Sequence, residues 1–543
     1  MQVDFAETFN AQDLVSAFFA RFDEHFNSDD FSLTIHPYDK GESFKIIGKR
    51  SLGKHIVEIW AEGKPALRHA LNALLAWKIS KANTDLYLED GPAFSFRGVI
   101  EGFYGTPWTH TQRLRGIANF ADFNMNTFMI APKDSPWQRF KWRAPFDGDF
   151  ISKIKELTSE GGRHGVSVAV CVSPGLSVTY SSADDRQAVL TRFQQLAEAG
   201  VTHFGLLFDD ISWELSDAAD VARYTTTALA HSEFSNAIYQ GLRDIDPNAI
   251  LTVCPMHYSG RGDEPYLVDL GENLDPAINL FWTGRQILSE YLEIVDAEVF
   301  MKTTKRPPFY WDNFPVNDGS LRHSLFIGPV RSRDKGLEKY SVGLLSNPMT
   351  QFEMSQLPIS TIGEYLWNSH SYNPDEAWER GLRKLLPHDD DRTALRGLLR
   401  CTMGTCVGGD PAPDLRPVFN NATTARRAGD LAKASKLFID AGNSMLRNIE
   451  VLRSSNFSRP EIILEINPWI AMYEVGANTL VRLGQLLLRC EFDKNEQMLI
   501  SNKSLVRELG ELRDYFDGPK TKMFGDQIDG PIWELMSELG VND

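Results

Sequence analysis

Hydrophobic and polar positions divide the chain into three stretches with different rhythms. Over residues 1–94, short alternating runs lie between two helical patterns. Ala11–Phe22 reads as a helix, and Lys64–Ile79 carries Leu67, Leu71, Leu74 and Leu75 at helical spacing. Phe31–His36, Ser43–Ile47 and His55–Trp60 read as short strands, with Asp39-Lys40-Gly41 turning between the first two. This predicts a small α/β domain, and no catalytic constellation falls within it.

From Phe96 the rhythm changes. Short apolar runs are expected as strands at Arg97–Glu101, Thr127–Ala131, Ser167–Val172, Phe204–Phe208, Ile250–Cys254, Ile278–Trp282, Pro308–Trp311 and Ser341–Leu345. Amphipathic helices are expected between and after them at Thr109–Phe123, Phe150–His164, Asp184–Ala199, Thr227–Ile245, Gln286–Val299 and Ile359–Ser369. Such alternation argues for parallel strands joined by crossover helices. A doubly wound sheet would alternate too, but eight units over roughly 275 residues, without a Gly-rich phosphate loop, fit a (β/α)8 barrel better.

After about residue 373 the strand pattern stops. Asp375–Leu386, Arg392–Cys406, Asp430–Arg453, Pro460–Cys490 and Ser501–Phe516 read as helices, interrupted at Asp410-Pro411-Ala412-Pro413. The expected organisation is an α/β accessory domain (1–94), a catalytic (β/α)8 barrel (95–372) and a carboxy-terminal helical bundle (373–543). The bundle is expected to brace the barrel or to form a homodimer.

Composition narrows the function. The formal net charge of −17 and the pI near 5.3 disfavour nucleic acid as a general partner, because phosphate binding needs a basic surface. Cys171, Cys254, Cys401, Cys406 and Cys490 are odd in number and match no zinc spacing, so reduced, mostly buried thiols are expected. The stretch Met1-Gln2-Val3-Asp4-Phe5-Ala6-Glu7 lacks a basic and an apolar leader region, and no apolar run reaches membrane-spanning length. A cytoplasmic protein with no membrane partner and no cofactor is the expectation.

The carboxyl ends of barrel strands form the active-site face. They carry Gly102-Phe103-Tyr104, Pro132-Lys133-Asp134, Ser173-Pro174-Gly175, Asp209-Asp210, Met256-His257-Tyr258, Thr283-Gly284, Asp312-Asn313 with Asp318, and Ser346-Asn347. Aromatic faces beside carboxylates, amides and a lysine suit a sugar. Taken alone, an Asp-Asp dipeptide is most often a solvated strand end, with Asp210 as a helix cap. At the end of an apolar strand within an eightfold alternation, the pair reads as chemistry. Carboxyls about 5 Å apart match the spacing of retaining glycosidases. They repel by roughly 3 kcal/mol at an effective dielectric near 20, which separates their pKa values by about 2. One then stays ionised while the other holds a proton near neutrality. A hard-cation site built from Asp209, Asp210, Asp312 or Asp318 is the rival, with Lys133 electrostatically awkward beside it.

Arg97-Gly98-Val99-Ile100-Glu101-Gly102-Phe103-Tyr104-Gly105-Thr106-Pro107-Trp108 closely resembles the opening of the glycoside hydrolase family 84 barrel. Ala131-Pro132-Lys133-Asp134, Leu206-Leu207-Phe208-Asp209-Asp210-Ile211, Tyr310-Trp311-Asp312-Asn313 with Asp318, and Ser346-Asn347-Pro348 are similar to further motifs of that family, in the same order. The family contains O-GlcNAcases and related β-N-acetylglucosaminidases. The flanking regions resemble, less closely, the accessory domain and post-barrel bundle of bacterial members.

The resemblance implies removal of β-linked N-acetylglucosamine, from Ser or Thr of proteins, by a retaining substrate-assisted mechanism through an oxazoline. Asp209 would orient the acetamido N–H, and Asp210 would act as acid and then base. Tyr258 would meet the acetamido oxygen, and Trp311 would wall the acetyl pocket. Asn313, Asp318, Lys133, Asn347 and the Gly102 backbone would hold sugar hydroxyls. Met256-His257 and the residues around Trp137 depart from the family pattern, on the aglycone side. Tyr104, Trp137 and Trp282 read as packing or groove lining. A hyaluronidase-like or other glycan-directed enzyme is the near alternative, and a catalytically silent GlcNAc-binding protein the distant one.

Overall fold

The computed structural model describes residues 2–5, 11–21, 26, 31–51, 54–79, 85–489, 496–518, 520–525 and 527–538. Phe22 and Cys490, each named above at the end of an expected helix, lie outside them. The chain divides into two compact units. One comprises Met1–Asn313, Val330–Pro348 and Ile359–Asn373, the other Phe314–Pro329, Met349–Pro358 and Pro374–Asp543.

The first unit opens with a five-stranded sheet of β1 (Gln2–Phe5), β2 (Phe31–Pro37), β3 (Phe44–Ser51), β4 (Lys54–Ala61) and β5 (Leu86–Asp90), in the order β1-β2-β4-β3-β5. Strand alternation turns Leu33, Ile35, Phe44, Ile46, Val57 and Ile59 inward. The helices Gln12–Arg21 and Lys64–Ile79 add Leu14, Phe18, Leu67, Leu71 and Leu74 to the same core. β1 and β5 escape the sequence reading because four or five residues give too little alternation to recognise.

The barrel follows as β6 (Phe96–Glu101), β7 (Thr127–Ile130), β8 (Ser167–Val172), β9 (His203–Leu207), β10 (Ile250–Cys254), β11 (Asn279–Trp282), β12 (Phe309–Asp312) and β13 (Gly343–Ser346). All neighbours pair in parallel, and β13 closes on β6 with Gly343 opposite Phe96. Ile100, Met129, Ala169, Cys171, Leu207, Cys254, Phe281 and Leu345 fill the interior, so this is a packed core and not a pore. Each strand lies within two residues of its expected bounds.

The expected helix Gln286–Val299 is a correction. The helix is Ile294–Thr304, and residues 285–293 form a loop. Ser289 Oγ accepts from Gln286 N at 3.0 Å, and Thr283 Oγ1 donates to Gln286 O at 2.7 Å. Such local side-chain bonds give the backbone an alternative to helix, and Leu292 instead bridges Arg333.

The accessory sheet is tied to the amino-terminal end of the barrel. Arg97 at the start of β6 is fully buried and donates to Glu42, to Phe94 O at 2.7 Å and to Asn124 O at 2.9 Å. His69 and Asn126 also bond Glu42, at 3.1 and 2.7 Å. Burial alone would raise the Glu42 carboxyl, but His69 and Arg97 outweigh it and hold it at about 2. A second buried arginine, Arg68, pairs with Asp122. These contacts leave the opposite, carboxyl-terminal face of the barrel to the strand-end residues.

The second unit is helical. Its helices are Pro374–Leu385, Asp389–Leu399, Leu415–Arg427, Leu431–Leu452, Pro460–Leu487, Glu496–Asp517 and Asp529–Glu538, packed on a core that includes Trp378, Leu395, Phe438, Ile466, Tyr473 and Leu509. Cys171, Cys254 and Cys401 are buried free thiols. No helix among the described residues is long and apolar enough to cross a membrane.

Candidate active site

The two aspartates follow β9 after Phe208. Asp210 sits at φ +55, a left-handed conformation that aspartate tolerates better than most residues. The turn takes the chain off the strand, and the two carboxyls find separate partners.

Asp209 is only 5% exposed. Its Oδ2 pairs with Lys133 Nζ from the end of β7, while its Oδ1 is buried without a partner. A buried acceptor left unpaired costs about 1–3 kcal/mol unless a donor arrives. Lys133 Nζ also lies 5.0 Å from the centre of the Trp311 ring. Asp210 is exposed and accepts two phenolic hydrogen bonds, from Tyr104 at 2.6 Å and from Tyr258 at 2.9 Å. Behind it, Arg139 donates to the Tyr104 hydroxyl at 3.0 Å and to the Asp210 carbonyl at 3.4 Å.

These partners correct the electrostatic expectation. Partial burial pushes the Asp210 carboxyl upward, but the Tyr104 and Tyr258 hydroxyls, with Lys133 and Arg139 nearby, outweigh it and hold it below the usual aspartate value. The neighbour expected to repel it, Asp209, is already matched by Lys133. Tyr104 remains a firm donor, because burial and Asp210 both raise its own pKa.

A second group of residues lines up beside the pair. Trp311 Nε1 donates to Asn313 Oδ1 at 3.0 Å, and Asn347 Nδ2 donates to the same oxygen at 2.9 Å. Asn313 in turn donates to Ile287 O at 2.8 Å. Asn347 Oδ1 accepts from Gly102 N at 3.1 Å, so of the Gly102 backbone only the carbonyl is left to a ligand. A Cβ on Gly102 would lie 2.2 Å from Trp311 Cζ2; only glycine lets the indole lie this close to β6. Phe281 packs edge-on against the indole at 5.4 Å.

The structure therefore brings together Asp209, Asp210, Lys133, Tyr258, Gly102, Trp311, Asn313 and Asn347. Asp318 belongs to the second unit. There it precedes the single helical turn Gly319–Leu321, and its carbonyl accepts from Leu321 N at 2.9 Å.

The rival cation site does not assemble. Asp312 is buried and engaged by both ends of the Arg333 guanidinium, at 2.7 and 3.0 Å. Among the described residues, no cluster of His, Cys, Asp or Glu is placed to hold a metal ion. Glu101 is similarly engaged, by Arg113 at 2.7 and 2.8 Å and by Trp108 N at 3.0 Å. Trp282 is pure core, stacked on Phe300 at 4.9 Å.

Sequence reasoning missed two residues of the site. Tyr104 shares a loop with Gly102, and its nearness to a strand end was the available signal. Arg139 had none, because it lies within a short helix, Pro136–Arg139, whose position follows only from the fold.

A family model described as beta-N-acetylglucosaminidase matches residues 97–400. The protein O-GlcNAcase of Rattus norvegicus is 32% identical over 274 residues, covering 49% of this chain and 29% of that protein. The protein of the same name from Mus musculus gives the same figures. The chain thus spans less than a third of the length of these curated relatives. Among solved structures, a mutant of the Thermobaculum terrenum O-GlcNAc hydrolase matches with a TM-score of 0.75 at 28% identity, covering 82% of this chain and 95% of that one. The structure of CpGH84B matches in fold, with a TM-score of 0.82 at 20% identity, over 98% of this chain and 96% of that one.

Proposed function

Because the chain belongs to the beta-N-acetylglucosaminidase family, glycoside hydrolase family 84, we propose that it hydrolyses β-linked N-acetylglucosamine from Ser or Thr of proteins. The reaction is retaining and substrate-assisted. The observation that carries this reading is the division of labour between the two aspartates. One is buried beside a lysine with an acceptor oxygen unpaired, and the other is exposed among tyrosines.

In the first step the acetamido oxygen attacks the anomeric carbon as the glycosidic C–O bond breaks. The leaving oxygen takes its proton from Asp210, and an oxazoline forms. Asp209 Oδ1 accepts the acetamido N–H, which satisfies the unpaired oxygen and draws charge toward the attacking carbonyl. In the second step Asp210, now ionised, takes a proton from water, and the resulting hydroxide opens the oxazoline. Trp311 walls the acetyl pocket. Lys133, Asn313, Asn347 and the Gly102 carbonyl hold sugar hydroxyls.

An acid must carry a proton, and Asp210 in the free site is held ionised. Binding supplies the change. A seated sugar removes water from the carboxyl, and Tyr258 turns its hydroxyl from Asp210 to the acetamido oxygen. Both raise the Asp210 pKa. Rate falls as pH rises past the pKa of a general acid, so the alkaline limb of kcat should lie at higher pH than that of kcat/KM, which reports the free enzyme. Tyr104→Phe removes a donor to the ionised form and should move the kcat/KM limb to higher pH. A limb that stays put or moves down in the pH profiles would contradict the assignment.

The direct test compares an aryl 2-acetamido-2-deoxy-β-glucoside with the matching aryl β-glucoside. Turnover of the first alone is expected, since only it carries the nucleophile. Equal turnover of both would remove the mechanism, and binding of N-acetylglucosamine without turnover of either would favour the silent sugar-binding protein.

A further inference from the structure

An exposed indole stands next to the acid, and it is built in. Trp213 follows Asp210 by three residues and is 64% exposed. Its ring lies edge-on against His257 at 4.1 Å between centroids. His257 stacks on Tyr266 at 4.9 Å, and the Tyr266 hydroxyl lies 2.7 Å from His231 Nδ1. His231 in turn stacks on Phe208 at 4.5 Å and meets the Tyr180 hydroxyl at 2.9 Å. The Trp213 carbonyl also accepts from Thr227 Oγ1 at 3.1 Å. A column of rings therefore carries the surface indole down to the residue that precedes Asp209. An aromatic side chain fixed in this way loses little freedom when something covers it.

Two further exposed apolar residues each follow, in the chain, a residue that touches the same segment. Phe140, 71% exposed, follows Arg139, whose guanidinium reaches the Asp210 carbonyl. Leu176, 48% exposed, follows Gly175, whose α-carbon faces Ile211 and the Phe208 backbone. The three come from the loops after β7, β8 and β9. None belongs to the group around Trp311 that faces the sugar.

The reaction itself dictates the occupant of this surface. The leaving oxygen must reach Asp210, so whatever the sugar was attached to lies over the residues that adjoin Asp210. We infer that Trp213, with Phe140 and Leu176, forms an aglycone subsite that grips an apolar or aromatic side chain of a polypeptide close to the sugar-bearing Ser or Thr. The inference rests on the glycosidase reading above and adds to it which side chains flanking the sugar-bearing Ser or Thr are preferred. A second sugar ring would stack on the indole but would need hydroxyl partners at its rim, where this rim carries a phenyl and an isobutyl group. Apolar side chains of a peptide need only surface to cover. Position 257 is also where the sequence departs from the family pattern, and His257 is the ring that supports Trp213.

The test measures kcat/KM of the full chain on four probes. They are methyl 2-acetamido-2-deoxy-β-glucopyranoside, a GlcNAc-serine peptide flanked by Phe and Leu, the same peptide flanked by Gly, and N,N′-diacetylchitobiose. The wild type should prefer the apolar-flanked over the glycine-flanked peptide by about tenfold, mostly through KM. Trp213→Ala should collapse that ratio toward one, and Trp213→Phe should keep part of it. A wild type that cleaves the methyl glycoside but shows no flank preference overturns the inference and leaves the glycosidase reading standing. So does a ratio that Trp213→Ala leaves unchanged, or a loss confined to chitobiose, which would make the platform a sugar subsite. A wild type that cleaves none of the four overturns the glycosidase reading itself.

Discussion

Asp210→Asn should lower kcat/KM for an alkyl- or peptide-linked N-acetylglucosaminide by about 10²–10⁴-fold, while a dinitrophenyl glycoside should lose far less. The difference comes from the leaving group. A serine alkoxide departs only with a proton, whereas a dinitrophenolate is stable without one. Asparagine matches the shape of the carboxylate it replaces, and the side chain is exposed, so the fold should be unaffected. The Tyr104 and Tyr258 hydroxyls, now at 2.6 and 2.9 Å from the carboxylate, can rotate to accept from the new amide where they donated before. The measurement is a plot of log kcat/KM against leaving-group pKa for a series of aryl glycosides. A shallow slope in the wild type that steepens in the variant identifies the acid. The same loss for every leaving group would assign Asp210 to binding or to positioning instead.

How much of the molecule is legible in its sequence depends on the range of each interaction. Barrel strands are local apolar runs bounded by turn residues, and β8 and β10 can be read to the residue. The helix expected at Gln286 looked periodic, yet Ser289 and Thr283 tie that backbone into a loop through contacts no periodicity reports. The helix Phe352–Trp367 contains Pro358, which pushes a sequence reading to start the helix only after the proline. The candidate site divides in the same way. Most of its members stand at strand ends, where the sequence points to them, whereas Arg139 lies in the short helix Pro136–Arg139 and carries no such signal. Their hydrogen-bond and ion-pair partners come from far away in the chain: Lys133 for Asp209, Arg333 for Asp312, and Tyr104, Tyr258 and Arg139 for Asp210. The Asp-Asp dipeptide alone predicts mutual repulsion. The Tyr104 and Tyr258 hydroxyls, with Lys133 and Arg139 nearby, instead hold the Asp210 carboxyl below the usual aspartate value, and none of these contacts is visible in two letters of sequence.

Asp209→Asn should cost about 10²–10³-fold in kcat on acetamido substrates, and in contrast to Asp210→Asn the loss should be equal for good and poor leaving groups. Asp209 acts on the nucleophile. Its Oδ1 is the one buried carboxylate oxygen of the pair without a partner, and a substrate N–H placed there raises the nucleophilicity of the acetamido oxygen as the ring closes. That help is needed whatever departs from the other side of the anomeric carbon. Replacing the charge also strands Lys133, which is buried against the Trp311 ring, and breaking one half of a buried ion pair typically costs about 3–5 kcal/mol of stability. A loss of activity could then be a loss of fold. The double change Asp209→Asn with Lys133→Met removes both charges and should restore much of the melting temperature without restoring turnover. Substrates with progressively fluorinated acetamido groups supply the second axis. The wild-type rate should fall steeply as the carbonyl becomes a poorer nucleophile, because Asp209 couples the enzyme to that group. If the fall is absent in the wild type, the acetamide is a spectator and Asp209 only a binding residue. If it is present in the wild type and in Asp210→Asn alike, with Asp209→Asn lowering every rate regardless of leaving group, the two neighbouring aspartates serve the two opposite ends of one displacement.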